Sequence, residues 1–323
     1  MVQYWTVVTR SFRIAWRHKY LWLVAFFAGE SGSGFSGNSG YQSSLPRGSN
    51  GARPDFNSAY NSATSWLNSH IGLIVVLTVV FLLFWIALFV LAAVCEGAAV
   101  RGAAEHDAER PFGLGLAWQA GRASMGTIIR IRLLLFALGL PAAILLIAIL
   151  GGFVVAIVNG NAGAAVLLGL VGAFLGLAGI VYFIYLDVLG RLSARAAVLE
   201  QVTSARAAMS RGHALVRKRL GRVVLVWLLA LVVGFVVGIG FAIALAVVAI
   251  PLIVTGAIAA AAGSGALVVV ILVAIVIFLP VIFIVAGFLS AQSSTYWTLA
   301  YRRLEIDAAP AVYPYAYPAP PPA

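Results

Sequence analysis

The sequence predicts an all-α membrane protein with six transmembrane helices and two cytoplasmic amphipathic helical connections. Three observations predict it. Of 323 residues, 63% are hydrophobic and 10% charged, against about 25% charged in a soluble domain. Mean hydropathy is +1.03. The apolar residues gather into runs long enough to cross a hydrocarbon core of about 30 Å. A chain this poor in polar side chains cannot cover the surface of a soluble globule, so a water-soluble enzyme, a disordered protein and a fibrous one are excluded.

Residues 1–19 read as a cytoplasmic amphipathic helix carrying Arg10, Arg13, Arg17 and Lys19. Residues 20–29 are a short apolar segment, about 15 Å as a helix, and two readings compete for it: a short crossing or a helix in the interface. Residues 30–70 are rich in Gly, Ser and Asn and predict an external loop. Residues 71–307 predict a five-span bundle. Its uncharged runs are 71–94, 133–158, 162–186 and 223–250, with a fifth at 266–291 that contains Pro280, read as a kink. Residues 308–323, AAPAVYPYAYPAPPPA, predict a disordered cytoplasmic tail. Proline at that density favours polyproline II, and a docking peptide for a protein partner is the sharper alternative.

Charge decides the orientation. The 96–132 connection holds five Arg, and the 187–222 connection holds seven Arg and one Lys, while the connections at 159–161 and 251–265 hold no basic residue. Basic connections face the cytoplasm. If 20–29 crosses, 19 of the 21 basic residues lie inside and only Arg47 and Arg53 stay outside. That parity selects the crossing and puts both termini in the cytoplasm. Snorkelling of Arg17 and Lys19 and the Trp16, Tyr20 and Trp22 cluster would help so short a segment span. The net charge of +11 is thereby accounted for by topology, without nucleic acid. Arginine far outnumbers lysine, which with the Ala, Gly and Val usage suggests a bacterial genome and the inner membrane.

The 187–222 connection divides into faces. At 100° per residue, Ala205, Ala208, Met209, Leu215, Val216 and Leu220 share one side. Arg206, Arg211, Arg217, Lys218 and Arg222 share the other, with Arg219 at the border. A helix so divided would lie flat in the interface with its basic arc on anionic phospholipid head groups. The plainer alternative is that these charges only set topology. In the 96–132 connection, Ala117 and Gly121 match Ala208 and Gly212 in spacing. Span, amphipathic helix and span thus recur at 71–158 and 162–250, a parallel internal duplication.

Chemistry is sparse. Cys95 is the lone cysteine, so neither an intrachain disulfide nor a multi-cysteine metal site can form. His18, His70, His106 and His213 are scattered, and no phosphate loop or nucleophile elbow occurs. No catalytic residue, cofactor or metal is expected. Asp187 is expected to pair with Arg191 at i,i+4; Glu96 sits at a span end five residues before Arg101. Neither carboxylate lies at mid-bilayer, which argues against coupled transport. Gly172/Gly176 and Gly234/Gly238 are small-residue pairs that allow close helix packing.

The N-terminal stretch SFRIAWRHKYLWLVAFFAG (11–29) is similar to the start of many uncharacterised bacterial polytopic proteins. VLEQVTSARAAMSRGHAL (198–215) resembles their cytoplasmic motif, with Glu200, Ala207 or Ala208, Ser210 and Gly212 in the motif positions, and YWTLAYRR (296–303) resembles their closing segment. The group is similar to the membrane domain of glycerophosphoryl diester phosphodiesterase. The resemblance implies a fold and a membrane location. It does not imply phosphodiesterase activity, because no segment here is long and polar enough for that enzyme's catalytic barrel. The expected function is therefore a non-enzymatic inner-membrane protein contacting anionic lipid or a membrane partner. A permease or lipid-handling transporter component is the alternative.

Overall fold

A computed structural model describes residues 2–29, 56–262 and 264–306. Eight helices account for almost all of them: α1 (Val2–Arg17), α2 (Tyr20–Ala28), α3 (Phe56–Asp107), α4 (Leu114–Val158), α5 (Ala162–Leu199), α6 (Ala205–Lys218), α7 (Leu220–Ala262) and α8 (Ser264–Ile306). No strand occurs among the described residues. Five helices, α3, α4, α5, α7 and α8, are long and apolar enough to cross a membrane. The chain is thus an all-α, multi-pass membrane protein. The tail at 308–323 lies outside the described residues.

Several boundaries differ from the sequence reading. α3 begins at Phe56, so 56–70, expected in the external loop, is helical. No Gly or Pro interrupts Phe56 to Ile71, and an apolar helix extends cheaply once nucleated. α7 continues through Pro251 to Ala262, into the stretch expected to connect two spans. Pro141 and Pro280 likewise sit within α4 and α8. At the α4–α5 turn, Gly160 takes the left-handed φ of 69° and Asn161 Oδ1 accepts from Ala164 N at 3.2 Å, which caps α5.

The short segment α2 has nine residues and is not among the five long apolar helices. It packs between α3 and α8. Tyr20 reaches His106 of α3, Phe26 meets Phe283 of α8 with ring centroids 4.6 Å apart, and the Ala28 carbonyl accepts from Arg132 Nη2 at 3.0 Å. Arg132 and its partner Glu96 are the charges that border the apolar runs of α4 and α3. The end of α2 is therefore level with the charged margin of those spans.

The core does not lie among the apolar runs. Their most apolar windows are almost wholly exposed, as expected of surface that lipid covers. The buried residues lie at the basic ends. Ala93–Ala103 of α3, Leu192–Val198 of α5 and Ser294–Tyr301 of α8 are buried, and these three helices pack on one another. A shorter helical segment packs on each of them: the start of α4 on α3, α6 on α5, and α1 on α8. Glycine permits the closest crossings. The Gly97 and Gly121 backbones meet between α3 and α4, Gly212 abuts Ser193 and Leu189 of α5, and Gly287 of α8 faces the Trp22 carbonyl of α2. We call this assembly the head.

Candidate functional site

The candidate basic arc begins where α5 ends. Glu200 follows the last turn of α5, and Gln201 takes a left-handed φ of 54°. That turn reverses the chain, so α6 folds back along α5. Ala205, Ala208, Gly212 and Val216 form its buried seam, a three- and four-residue spacing that the small side chains make narrow enough for close packing. His213 Nδ1 shares a hydrogen bond with Tyr185 Oη at 2.7 Å. Met209 and Leu215 are half-buried against the core, as the face assignment expected, but Leu220 is exposed.

The five basic residues separate into groups. Arg206 sits in the first turn of α6 and is exposed. Arg211 Nη1 pairs with Glu200 Oε2 at 3.3 Å, and Glu200 Oε1 also accepts a short hydrogen bond from Tyr301 Oη of α8. Arg211 is therefore tied into the contact between α5 and α8. Arg217 and Lys218 end α6, while Arg222 belongs to the first turn of α7. The single helix expected over 203–222 is thus two, broken at Arg219, whose φ of −136° is not helical. Lys218, Arg219, Leu220, Gly221 and Arg222 line a notch of about 480 Å³ at this break.

The position of the notch matters more than its size. Arg222 is the last charge before the uncharged run of α7. The notch therefore sits where an apolar span meets its first charges, the level at which head groups lie. Arg206 is 16 residues back in sequence, in the first turn of α6 and away from the notch. The five residues do not act as one flat surface. Lys218 and Arg222 share the notch with Arg219, and Arg217 adjoins them.

Several partnerships were hidden from the sequence. Glu96 Oε2 accepts from Arg132 Nη2 at 2.6 Å and from Arg132 Nε at 3.1 Å. Arg101 pairs with Glu105 at 2.9 Å, one helical turn away at i,i+4. Asp187 and Arg191 pair as expected at 2.9 Å, and Arg191 also lies 5.2 Å over the Trp297 ring. Asp107 joins Arg10 of α1 and Arg302 of α8, at 2.7 and 2.6 Å. Arg195 is fully buried and donates to the Arg191 carbonyl at 3.0 Å. His18 and His106 stack with centroids 3.5 Å apart; burial, and then Arg17, lowers the His18 pKa. No cluster of three or more His, Cys, Asp or Glu that could hold a metal occurs among the described residues.

No family model, no curated protein and no solved structure matches the chain.

Proposed function

We propose that this is a non-enzymatic, multi-pass protein of the bacterial inner membrane whose basic head engages anionic phospholipid at the break between α6 and α7. The observation that carries the reading is the notch of Lys218, Arg219 and Arg222, set directly before an uncharged span. Each basic residue near an anionic surface contributes about 1 kcal/mol before screening. A permease is less well supported, because the apolar windows stand exposed rather than walling a path. The likeness to the membrane domain of glycerophosphoryl diester phosphodiesterase supports a membrane location and adds no activity.

The test replaces Arg217, Lys218 and Arg222 with Gln, which preserves helix propensity and removes three charges. Co-purified phosphatidylglycerol or cardiolipin should fall in correctly inserted protein, while Arg206→Gln should leave it unchanged. Unchanged lipid in the triple variant overturns the reading and leaves topology as the role of these charges.

The same charges support a topology in which both termini and the head are cytoplasmic and the chain crosses once between Lys19 and the α3 span. Charge parity thus favours six crossings, whereas the nine-residue α2, which ends level with the charged margin, does not itself span. A reporter after Gly40 should be external and one after Asp307 internal; a cytoplasmic signal at Gly40 would sink it. The Gly121 and Gly212 crossings support a parallel relation between 71–158 and 162–250, since each follows one span and rests on its basic end.

A further inference from the structure

α1 has three faces, and one of them is buried in the head. Val7, Val8, Ser11, Ile14 and Ala15 are buried, and Gln292 of α8 donates to Ser11 Oγ at 3.3 Å. The adjoining edge carries Trp5, Thr9, Phe12 and Trp16 at four- and three-residue spacing. Trp5 and Trp16 are 59% and 66% exposed, unusual for tryptophan in a folded head. The next edge carries Thr6, Arg10, Arg13 and Arg17. Arg10 is held by Asp107, while Arg13 and Arg17 are exposed further along that edge.

The aromatic edge continues a surface that lipid already covers. Trp16 meets Phe288 of α8 edge-on at 5.6 Å and Trp22 of α2 at 5.9 Å. Beyond Phe288 come the exposed Phe283 and Ile284 of the α8 span, and beside Trp22 the exposed Leu23 and Phe27 of α2. Tryptophan and arginine on neighbouring edges match the two layers of a bilayer margin. The indole has an apolar body and one donor, suited to the acyl boundary, and guanidinium suits the phosphates just above it.

From this continuity we propose that α1 lies in the head-group margin of the anionic cytoplasmic leaflet, with the Trp5–Trp16 edge toward the acyl chains and Arg13 and Arg17 on lipid phosphates. This interaction surface is separate from the α6–α7 notch and does not depend on it. The occupant is the bilayer itself. A soluble protein or a peptide would have to displace lipid from a surface continuous with the spans.

The test uses the full chain in vesicles of phosphatidylcholine and phosphatidylglycerol, with a nitroxide at Thr9→Cys or Thr6→Cys. Cys95 is buried, so an unlabelled-position control accounts for any background. The Thr9 label should be several-fold more accessible to oxygen than to a water-soluble nickel chelate, and the Thr6 label the reverse. Arg13→Gln with Arg17→Gln should shift the Thr9 label toward water in these vesicles and not in phosphatidylcholine alone. Equal nickel accessibility at both sites would overturn the proposal. So would a double variant that leaves the Thr9 label unmoved. Because α6 is untouched in every sample, failure here leaves the notch reading standing, and failure at the notch leaves this one.

Discussion

Gly121→Ala asks whether the crossing of α3 and α4 holds the head together. A methyl on Gly121 would overlap the Val94 carbonyl oxygen and stand 3.1 Å from Ala98 N. Both are backbone atoms of α3, so no rotamer can relieve the clash and the helices must move apart. The strain falls on the crossing that also carries the Glu96–Arg132 pairing. Overpacking of this kind costs about 1–3 kcal/mol, and a backbone clash belongs at the upper end. Opposing it is the helix preference of Ala over Gly, about 0.5–1 kcal/mol. The net expected loss is about 2 kcal/mol. Two other glycines calibrate the result. Gly126, on the same helix, has nothing within 4 Å of an added methyl, so Gly126→Ala should show only the gain. Gly287, whose added methyl would stand 2.8 Å from the Trp22 carbonyl oxygen, should fall between. Thermal unfolding in one detergent, followed by loss of the monodisperse size-exclusion peak, ranks all three. If Gly121→Ala melts with or above Gly126→Ala, the crossing is not tight and the argument fails.

Two further predictions rest on the charged margin. Glu96→Gln should destabilise by about 2 kcal/mol, below the 3–5 kcal/mol of a fully buried pair because the Arg132 side chain is 27% exposed; Glu96→Gln with Arg132→Met should recover part of that loss in the same melt, and equal melting of the single variant and the parent would refute it. His18 should make the α1–α2 junction acid-sensitive. Burial, and then Arg17, hold its folded pKa below the ordinary histidine value of 6.5, so the folded form binds protons less readily than the unfolded one. The stability it allows is complete above that value and is lost as pH falls toward its lowered folded pKa. Hydrogen-exchange protection factors at 15–22, taken relative to the intrinsic exchange rate at each pH, should fall on acidification through that range and stay level in His18→Asn; an unchanged pH profile in the variant would remove His18 as the cause.

The spans were legible because nothing competes with hydrophobicity in a run of 20 or more uncharged residues. The five long helices follow from it directly. What the sequence concealed is that helices do not stop where apolarity stops. α3 and α4 continue through Glu96 and Arg132 without a break, since Ala, Arg and Met propagate a helix in water as well as in lipid. The 96–132 connection is therefore not a separate surface helix; its amphipathic half is the extension of a span. The buried seam of α6 was legible from its 3.6-residue period. Its orientation was not, because periodicity says which side is buried and not against what. The turn at Gln201 sends α6 back along α5, and the contact with Ser193 joins residues from opposite sides of that turn. Pairings such as Glu96–Arg132 and Glu200–Tyr301 are 36 and 101 residues apart and leave no local spacing to detect.

The net charge of +11 also reads differently once the head is built. Glu96, Glu105, Asp107, Asp187 and Glu200 each hold at least one arginine there, and several of those pairs join different helices. These five sit where α1, α3, α4, α5, α6 and α8 meet. Arginine suits this role better than lysine because its fork can bind a carboxylate and a helix-end carbonyl at once. Arg132 does so with Glu96 and Ala28, and Arg10 with one carboxylate oxygen and the backbone carbonyl of Asp107. The positive-inside rule explains why the basic residues lie on one side but not which of them stay at the surface. The acidic residues make that selection. They draw Arg101, Arg132, Arg191 and Arg302 toward the head, and the charges left outward include, beside Arg122, Arg130, Arg206 and Arg303, those of the second half of α1 and of the α6–α7 break. Both places adjoin an apolar surface.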